Sequence, residues 1–277
     1  RYRTDLIADG EALRGALSIQ KDLGWRQFTG VDQQKGSLIG DFALGGWDAT
    51  AWLVASNLNQ ETADFLQGPK AYRDADLVET NDAPLAGRDA YSVRAGARFE
   101  RELGFGALVL KPYAITQEMS FRQHFLPNRS FEENGHNSLG LMTQVETEAS
   151  ETVTVRYGAD AAWANGFLIE TQAEPFGFFP GDSRFPTGTH YDYDVDTLTF
   201  ALWGEAEWAS SSELTVLAGL RGETHNFDYS TNIPEGTFGR FRVATDRDDN
   251  FDLFTPKLGV IWTPVGVGPD VGRGMAS

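Results

Sequence analysis

Apolar and polar positions alternate strictly along several stretches of this chain. From Tyr91 through Ser92, Val93, Arg94, Ala95, Gly96, Ala97, Arg98 and Phe99 to Glu100, every odd position is apolar or aromatic and every even one polar or glycine. Val153, Val155, Tyr157, Ala159, Ala161 and Trp163 alternate in the same way with Thr152, Thr154, Arg156 and Asp160. Leu198, Phe200, Leu202, Ala206 and Trp208 alternate with Thr197, Thr199, Glu205 and Glu207. A period of two belongs to a β-strand with one face toward an apolar medium and the other toward water. On this pattern strands are expected over Leu13 to Gln20, Gly36 to Leu44, Trp47 to Asn57, Tyr91 to Glu102, Ala107 to Phe121, Leu139 to Thr147, Val153 to Trp163, Leu198 to Trp208, Leu214 to Tyr229 and Leu253 to Thr263. A further segment, Tyr2 to Ala8, precedes them. A soluble sandwich shows the same two-faced strand, so period alone leaves the medium open. Strands in soluble domains average about 5 to 6 residues. Many of these are longer, and a tilted strand needs about 9 to 11 residues to cross a bilayer.

The connections have their own rhythm. Tight turns sit at Asp9-Gly10, Gly45-Gly46, Gly104-Phe105-Gly106, around Ala149-Ser150 and at Ser210-Ser211-Ser212. Glycine supplies positive φ there and serine local backbone hydrogen bonds. Between these hairpins the chain takes longer paths: Leu23 to Lys35, Leu58 to Asp89, Arg122 to Asn137, Asn165 to Asp192 and Ser230 to Asn250. Short-long alternation along antiparallel strands is what a membrane barrel shows, with short periplasmic turns at one rim and long extracellular loops at the other. Trp47, Trp208 and Trp262 fall on apolar faces beside the tight turns, and Trp163 at the loop end of its strand. Those are the places of the two interfacial aromatic girdles.

Composition narrows the picture further. No linker divides the 277 residues, so one unit is expected over 1–264, with a glycine-rich, non-alternating tail over 265–277 that lies outside the barrel and is of native or foreign origin. Mean hydropathy is slightly negative. No apolar run approaches the roughly 18 residues of a membrane helix, although barrel strands place only every second residue against lipid. There is no cysteine, hence no disulfide framework or thiolate metal site. A net charge of −17 argues against nucleic acid as a partner. The acids gather in the long connections, at Glu61, Asp64, Asp74, Asp76, Glu79, Asp82, Glu132 and Glu133, as solvated loops or as an acidic vestibule that favours cationic ligands or binds divalent ions between lipopolysaccharides. Arg1 is preceded by no signal segment and the end lacks an aromatic strand, so the chain reads as cut at both ends.

Four groups of residues resemble a known family. They are Leu58 to Pro69 with Tyr72-Arg73-Asp74; His124-Phe125-Leu126-Pro127 with Glu132 to His136; His190 to Asp196; and Leu217-Ala218-Gly219-Leu220-Arg221 followed by Phe254 to Val260. Together they resemble the β-barrel of TonB-dependent outer-membrane receptors, in particular the siderophore, or iron-chelate, branch. The resemblance implies an all-β, antiparallel up-and-down transmembrane β-barrel of 22 strands with a plugged lumen. About eleven strands are present here, an internal and partial piece of such a barrel. The implied function is uptake of a ferric siderophore or similar iron chelate across the outer membrane of a Gram-negative bacterium. The implied partners are the ligand, outer-membrane lipid including lipopolysaccharide, and the TonB energy-transducing complex, reached through an N-terminal plug absent from this chain. No bond in the substrate is broken, and no cofactor is implied.

Candidate site residues follow from placement. Arg122, His124, Phe125 and His136 flank one long connection; Phe178, with Phe176 and Phe179, and then His190, Tyr191 and Tyr193 populate another. Aromatic rings with a few convergent polar groups suit a bulky chelate. No spacing among His124, His136 and His190 matches a metal-ligand motif, so no metal site is assigned. Arg94, Arg98, Arg156, Asp160, Glu205, Glu207 and Arg221 fall on polar faces and are expected to line the lumen in cross-strand ion pairs or plug contacts. The alternatives are a passive porin, an outer-membrane lipid hydrolase and a secreted carbohydrate-binding β-domain. A hydrolase would use Ser120, His124 and Asn128, but no oxyanion-forming glycine motif accompanies them.

Overall fold

The structure is a computed structural model, described over residues 1–122, 129–174 and 183–264. Eleven antiparallel strands form one meandering sheet. They are β1 (Tyr2–Asp9), β2 (Leu13–Asp22), β3 (Val31–Leu44), β4 (Trp47–Glu61), β5 (Gly87–Leu103), β6 (Gly106–Arg122), β7 (Phe131–Ser150), β8 (Val153–Gln172), β9 (Gly188–Ala209), β10 (Leu214–Thr231) and β13 (Arg247–Trp262). Each pairs with the next in sequence, β10 passing to β13 over a small hairpin, β11 (Gly236–Phe238) and β12 (Phe241–Val243). A single 3-10 turn, Ala71–Arg73, interrupts the longest connection. The sheet is an unclosed partial barrel, with β1 and β13 at its edges. The expected strand order and both sets of connections are present.

Register assigns each side chain to a face. The pairs Trp52↔Gly96, Gly96↔Tyr113, Tyr113↔Gly140, Gly158↔Trp203 and Arg221↔Trp203 place these residues on one side, called here the polar face. The opposite face carries Leu38, Leu53, Leu139, Leu141, Tyr157, Leu198, Phe200, Leu202, Leu220 and Leu258, all of them exposed. On β9 this apolar band runs from Leu198 to Trp208, and the neighbouring pair Trp163↔Leu198 marks its upper edge. Eleven residues is the bilayer-crossing length of a tilted strand. A continuous exposed apolar face of this extent has no stable counterpart on a water-soluble monomer, whose largest patches reach a few hundred Å².

The longer strands overshoot the band on the loop side. β7 begins at Phe131, β8 continues to Gln172 and β9 begins at Gly188, whereas alternation alone places these boundaries at Leu139, Trp163 and Leu198. Both faces of the overshoot meet water, so apolar residues lose their period of two although the hydrogen-bond ladder continues.

Two places interrupt the ladder within the wall. Between β5 and β6 the register runs to Gly96↔Tyr113 and resumes at Phe99↔Leu110, and Pro112, which has no N–H to donate, lies in the gap. Between β7 and β8 it pauses after Met142↔Asp160. There the Thr143 hydroxyl accepts from the Ala159 N–H at 3.0 Å and donates to the Ala159 carbonyl at 2.8 Å, in place of a backbone partner.

Candidate functional site

The polar face carries a connected chain of charge. Arg156 donates to Glu146 at 2.6 Å and to Glu207 at 2.9 Å, and its guanidinium lies 3.5 Å from Glu205. Glu205 also receives Lys257 at 2.9 Å. One turn of the pleat higher, Arg221 bridges Asp160 at 2.5 Å and Glu223 at 2.7 Å. His225 continues the line, 3.5 Å from Glu223 and hydrogen-bonded through Nδ1 to the Thr199 hydroxyl at 3.0 Å. Arg98 pairs with Glu100 on its own strand, and Arg94 reaches the Gln117 amide at 3.4 Å. The seven residues expected along the lumen thus share one face, and five of them, Arg156, Asp160, Glu205, Glu207 and Arg221, form cross-strand ion pairs.

Above the apolar band the same face turns aromatic. Tyr193 and Tyr229 pack with ring centroids 5.1 Å apart. Phe227 meets Phe251 edge-on at 5.9 Å and stacks near His225 at 6.4 Å. Tyr191 meets Phe241 edge-on at 5.9 Å. Burial, then the neighbouring Tyr229, Glu132 and Tyr191, hold the Tyr193 phenol above its usual pKa.

The sequence-derived ligand residues separate into three groups. Tyr191 and Tyr193 lie in the aromatic patch. His136 sits on β7 rather than in a loop, in a cross-strand row with Gly166, Val195 and Tyr229. Arg122 does not join them: its register partners Gly87 and Phe131 lie on the opposite face, and its guanidinium covers the Phe131 ring at 5.1 Å. His190 is fully buried, with both ring nitrogens engaged. His124, Phe125 and Phe178, with Phe176, Phe179 and Asn128, lie outside the described residues, as does 265–277.

Phe227, Tyr229, Phe251 and His225 are members of the patch that sequence reasoning missed. A signal existed. In β10 apolar residues hold even positions up to Leu220, and aromatic ones then hold odd positions at Phe227 and Tyr229. This change of phase marks the level at which the outward face leaves the apolar medium and rings move to the inner side.

The loops that connect β2 to β3 and β4 to β5 are braced against each other. The Arg26 guanidinium donates to the Asp64 carbonyl at 2.8 Å and to the Thr80 carbonyl, and the Asn81 amide donates to the Phe28 carbonyl at 3.1 Å and the Thr62 carbonyl at 3.2 Å. Among the described residues no cluster of three His, Asp or Glu has the arrangement of a metal site.

Comparison with known proteins places this geometry. A family model described as TonB dependent receptor-like, β-barrel, matches residues 12–269. No curated protein matches the chain in sequence. Among solved structures, the unliganded ferric citrate transporter FecA aligns with a TM-score of 0.68 at 12% identity, over 94% of this chain and 38% of that one. The ferric yersiniabactin uptake receptor FyuA from Yersinia pestis aligns at 0.65 and 11%, over 93% and 41%. The copper transporter OprC aligns at 0.61 and 10%, over 93% and 40%. At such identities the likeness is one of fold. The chain spans less than half the length of each of these proteins.

Proposed function

We propose a function for this chain from the fact that it belongs to the TonB dependent receptor-like β-barrel family. It supplies part of the barrel wall of an energised outer-membrane importer in a Gram-negative bacterium, and the cargo is a ferric siderophore or similar iron chelate. The observation that carries the reading is the division of one sheet into an exposed apolar face of bilayer height and a face of paired charges that leads up to an aromatic patch. Lipid satisfies the first face, and water or a plug the second.

In this reading the polar face lines the lumen, with Arg94, Arg98, Arg156, Asp160, Glu205, Glu207 and Arg221 along it. Tyr191, Tyr193 and His136, joined by Phe227, Tyr229 and Phe251, face the captured chelate. Flat rings and a phenolic hydroxyl suit a bulky ligand held by packing and a few hydrogen bonds. Capture at the patch precedes rearrangement of a plug driven by the TonB complex, and no covalent bond of the cargo changes. Lipopolysaccharide packs against the outward rim.

The test uses the complete gene. A strain carrying it and a strain without it are grown under iron limitation on a panel of ferric chelates, and under copper limitation. Growth that depends on the gene with a ferric chelate is the expected result. Restored uptake of copper, cobalamin or a saccharide, with no response to any ferric chelate, would overturn the cargo assignment. Upstream of Arg1 the gene is expected to encode a plug of about 120 to 160 residues, an ordinary domain size.

A further inference from the structure

Beside the charge network lies a cation that takes no part in it. Lys111 lies on the polar face of β6, beside the gap that Pro112 opens in the β5–β6 ladder. It is half-buried, and among the described residues it has neither a hydrogen bond nor an ion pair. Its neighbours explain why. Asp160 is taken by Arg221, and Glu205 by Lys257 and Arg156, so each nearby acid already has a guanidinium or ammonium in contact. Arg98, across the same gap, is held by Glu100.

Lys111, Arg156 and Arg221 line a cavity of about 330 Å³ together with Asp160, Glu205, Met142 and Trp203. The indole of Trp203 lies over Gly158, where the lack of a side chain lets it settle against the wall as an apolar floor. The cavity therefore has an apolar base, a rim on which Arg156 and Arg221 are already paired with acids, and one ammonium that has no acid of its own. A half-buried charge loses hydration and regains it through an opposite charge at contact distance. The volume exceeds that of a lone carboxylate and admits the carbon chain that bears it.

We propose that this cavity is a carboxylate-binding site in the middle of the wall, with Lys111 as its anchoring residue. The carboxylate belongs either to an Asp or Glu of a chain segment that occupies the lumen or to an anionic solute passing through it. The proposal rests on the reading that the polar face lines an aqueous or plug-filled lumen, and its test separates the two ideas.

The full-length protein in isolated outer membranes is treated with a water-soluble carbodiimide, which couples an amine to a carboxylate in contact with it, and cross-linked peptides are identified by mass spectrometry. Lys257 and Glu205, on the same face at 2.9 Å, are the internal reference. Their coupling reports that the face is reached by water, and its failure overturns the lumen reading together with the proposal. With the reference coupled, the expected result is a link from Lys111 to an acid outside residues 1–264 or, with succinate added, a succinyl adduct on Lys111. The first outcome identifies a chain segment as the source, the second a solute. Either product is lost in Lys111→Arg, which keeps the charge but does not couple. A Lys111 that stays unmodified in both arms, or that couples only to Asp160 or Glu205, overturns the proposal while leaving the lumen reading intact.

Discussion

His190 Nδ1 lies 2.9 Å from a Glu170 carboxylate oxygen, at the point where β8 and β9 slip register. The other ring nitrogen is 2.7 Å from the Pro186 carbonyl, a pure acceptor, so Nε2 carries a proton. The ring stacks on Phe241 with centroids 3.7 Å apart. Phe241 is itself buried, as are Val243 on the same strand and Phe185 beside Pro186, and the Phe238 ring lies 6.2 Å from the imidazole. His190 is thus the centre of a small core that ties the β8–β9 connection to the β11–β12 hairpin. Removing a buried aromatic from a core costs about 3 to 5 kcal/mol. Here the loss falls on loops, so it should open them rather than unfold the wall. His190→Ala and Phe241→Ala are each expected to speed protease cleavage within 183–187 and 236–243 in the full-length protein. Mobility of the unheated protein on a denaturing gel should not change. Cleavage at the wild-type rate in both variants would remove this role.

Tyr193 gives a pH-dependent signature of the aromatic patch. Burial raises its pKa above the ordinary phenol value, with Tyr229, Glu132 and Tyr191 adding to the effect. The unfolded chain ionises this phenol at about pH 10, while the folded one still holds the proton. The folded state therefore binds more protons in that window, and stability falls as pH rises through it. Below the unfolded value there is no such dependence. An ultraviolet titration of tyrosinate should show a late component that Tyr193→Phe removes. A titration identical in the two proteins would count against the burial described.

The membrane-crossing half of each strand is legible because one face meets an apolar medium and the other a polar one. That asymmetry writes Tyr91 to Glu100 and Leu198 to Trp208 into the sequence with a period of two. The overshoot above it is not legible in the same way. Asp192, Asp194 and Asp196 on β9 face outward into water and Tyr191 and Tyr193 inward, so the apolar positions reverse phase and resemble a loop. His190 is polar by type and lies in a segment rich in aspartate, and only the fold reveals that the β11–β12 hairpin covers it. Arg122 and Tyr191 border two long connections on the same rim in the sequence-based assignment, yet their registers send them to opposite faces of the sheet. Lys111 had no signal at all, since an unpaired lysine is recognised only once the partners of its neighbours are known.

The face assignment itself makes a contrast that folding experiments read. Leu202 lies near the middle of the apolar band and is exposed, and Thr199 lies on the polar face of the same strand. Arginine on the lipid face at mid-bilayer depth costs about 2 to 4 kcal/mol. Leu202→Arg is therefore expected to lower the folded fraction in lipid bilayers steeply, whereas Thr199→Arg should leave it near the wild-type value. Urea titrations of the full-length protein in bilayers measure both. A steeper loss in Thr199→Arg would mean that the faces had been assigned the wrong way round, and equal losses that neither face alone meets lipid.

Gly158 shows how closely two strands approach where the β7–β8 ladder pauses. A Cβ added there would lie 1.9 Å from the Thr143 carbonyl oxygen and 2.9 Å from the Trp203 ring. The first contact is with backbone, which no rotamer change relieves, so Gly158→Ala must push β7 and β8 apart. The displacement also lifts Trp203 from the floor of the mid-wall cavity. Overpacking that forces side-chain and backbone shifts costs about 1 to 3 kcal/mol, and the direct backbone contact puts the expected cost at the upper end. Gly222, on β10 of the same wall, supplies the control, because a Cβ there meets nothing within 4 Å. Gly222→Ala should unfold at the wild-type urea concentration and Gly158→Ala at a lower one. A Gly158→Ala protein as stable as Gly222→Ala would mean that the two strands are farther apart at this point than described, and that the Thr143 hydroxyl does not stand in for the missing rung.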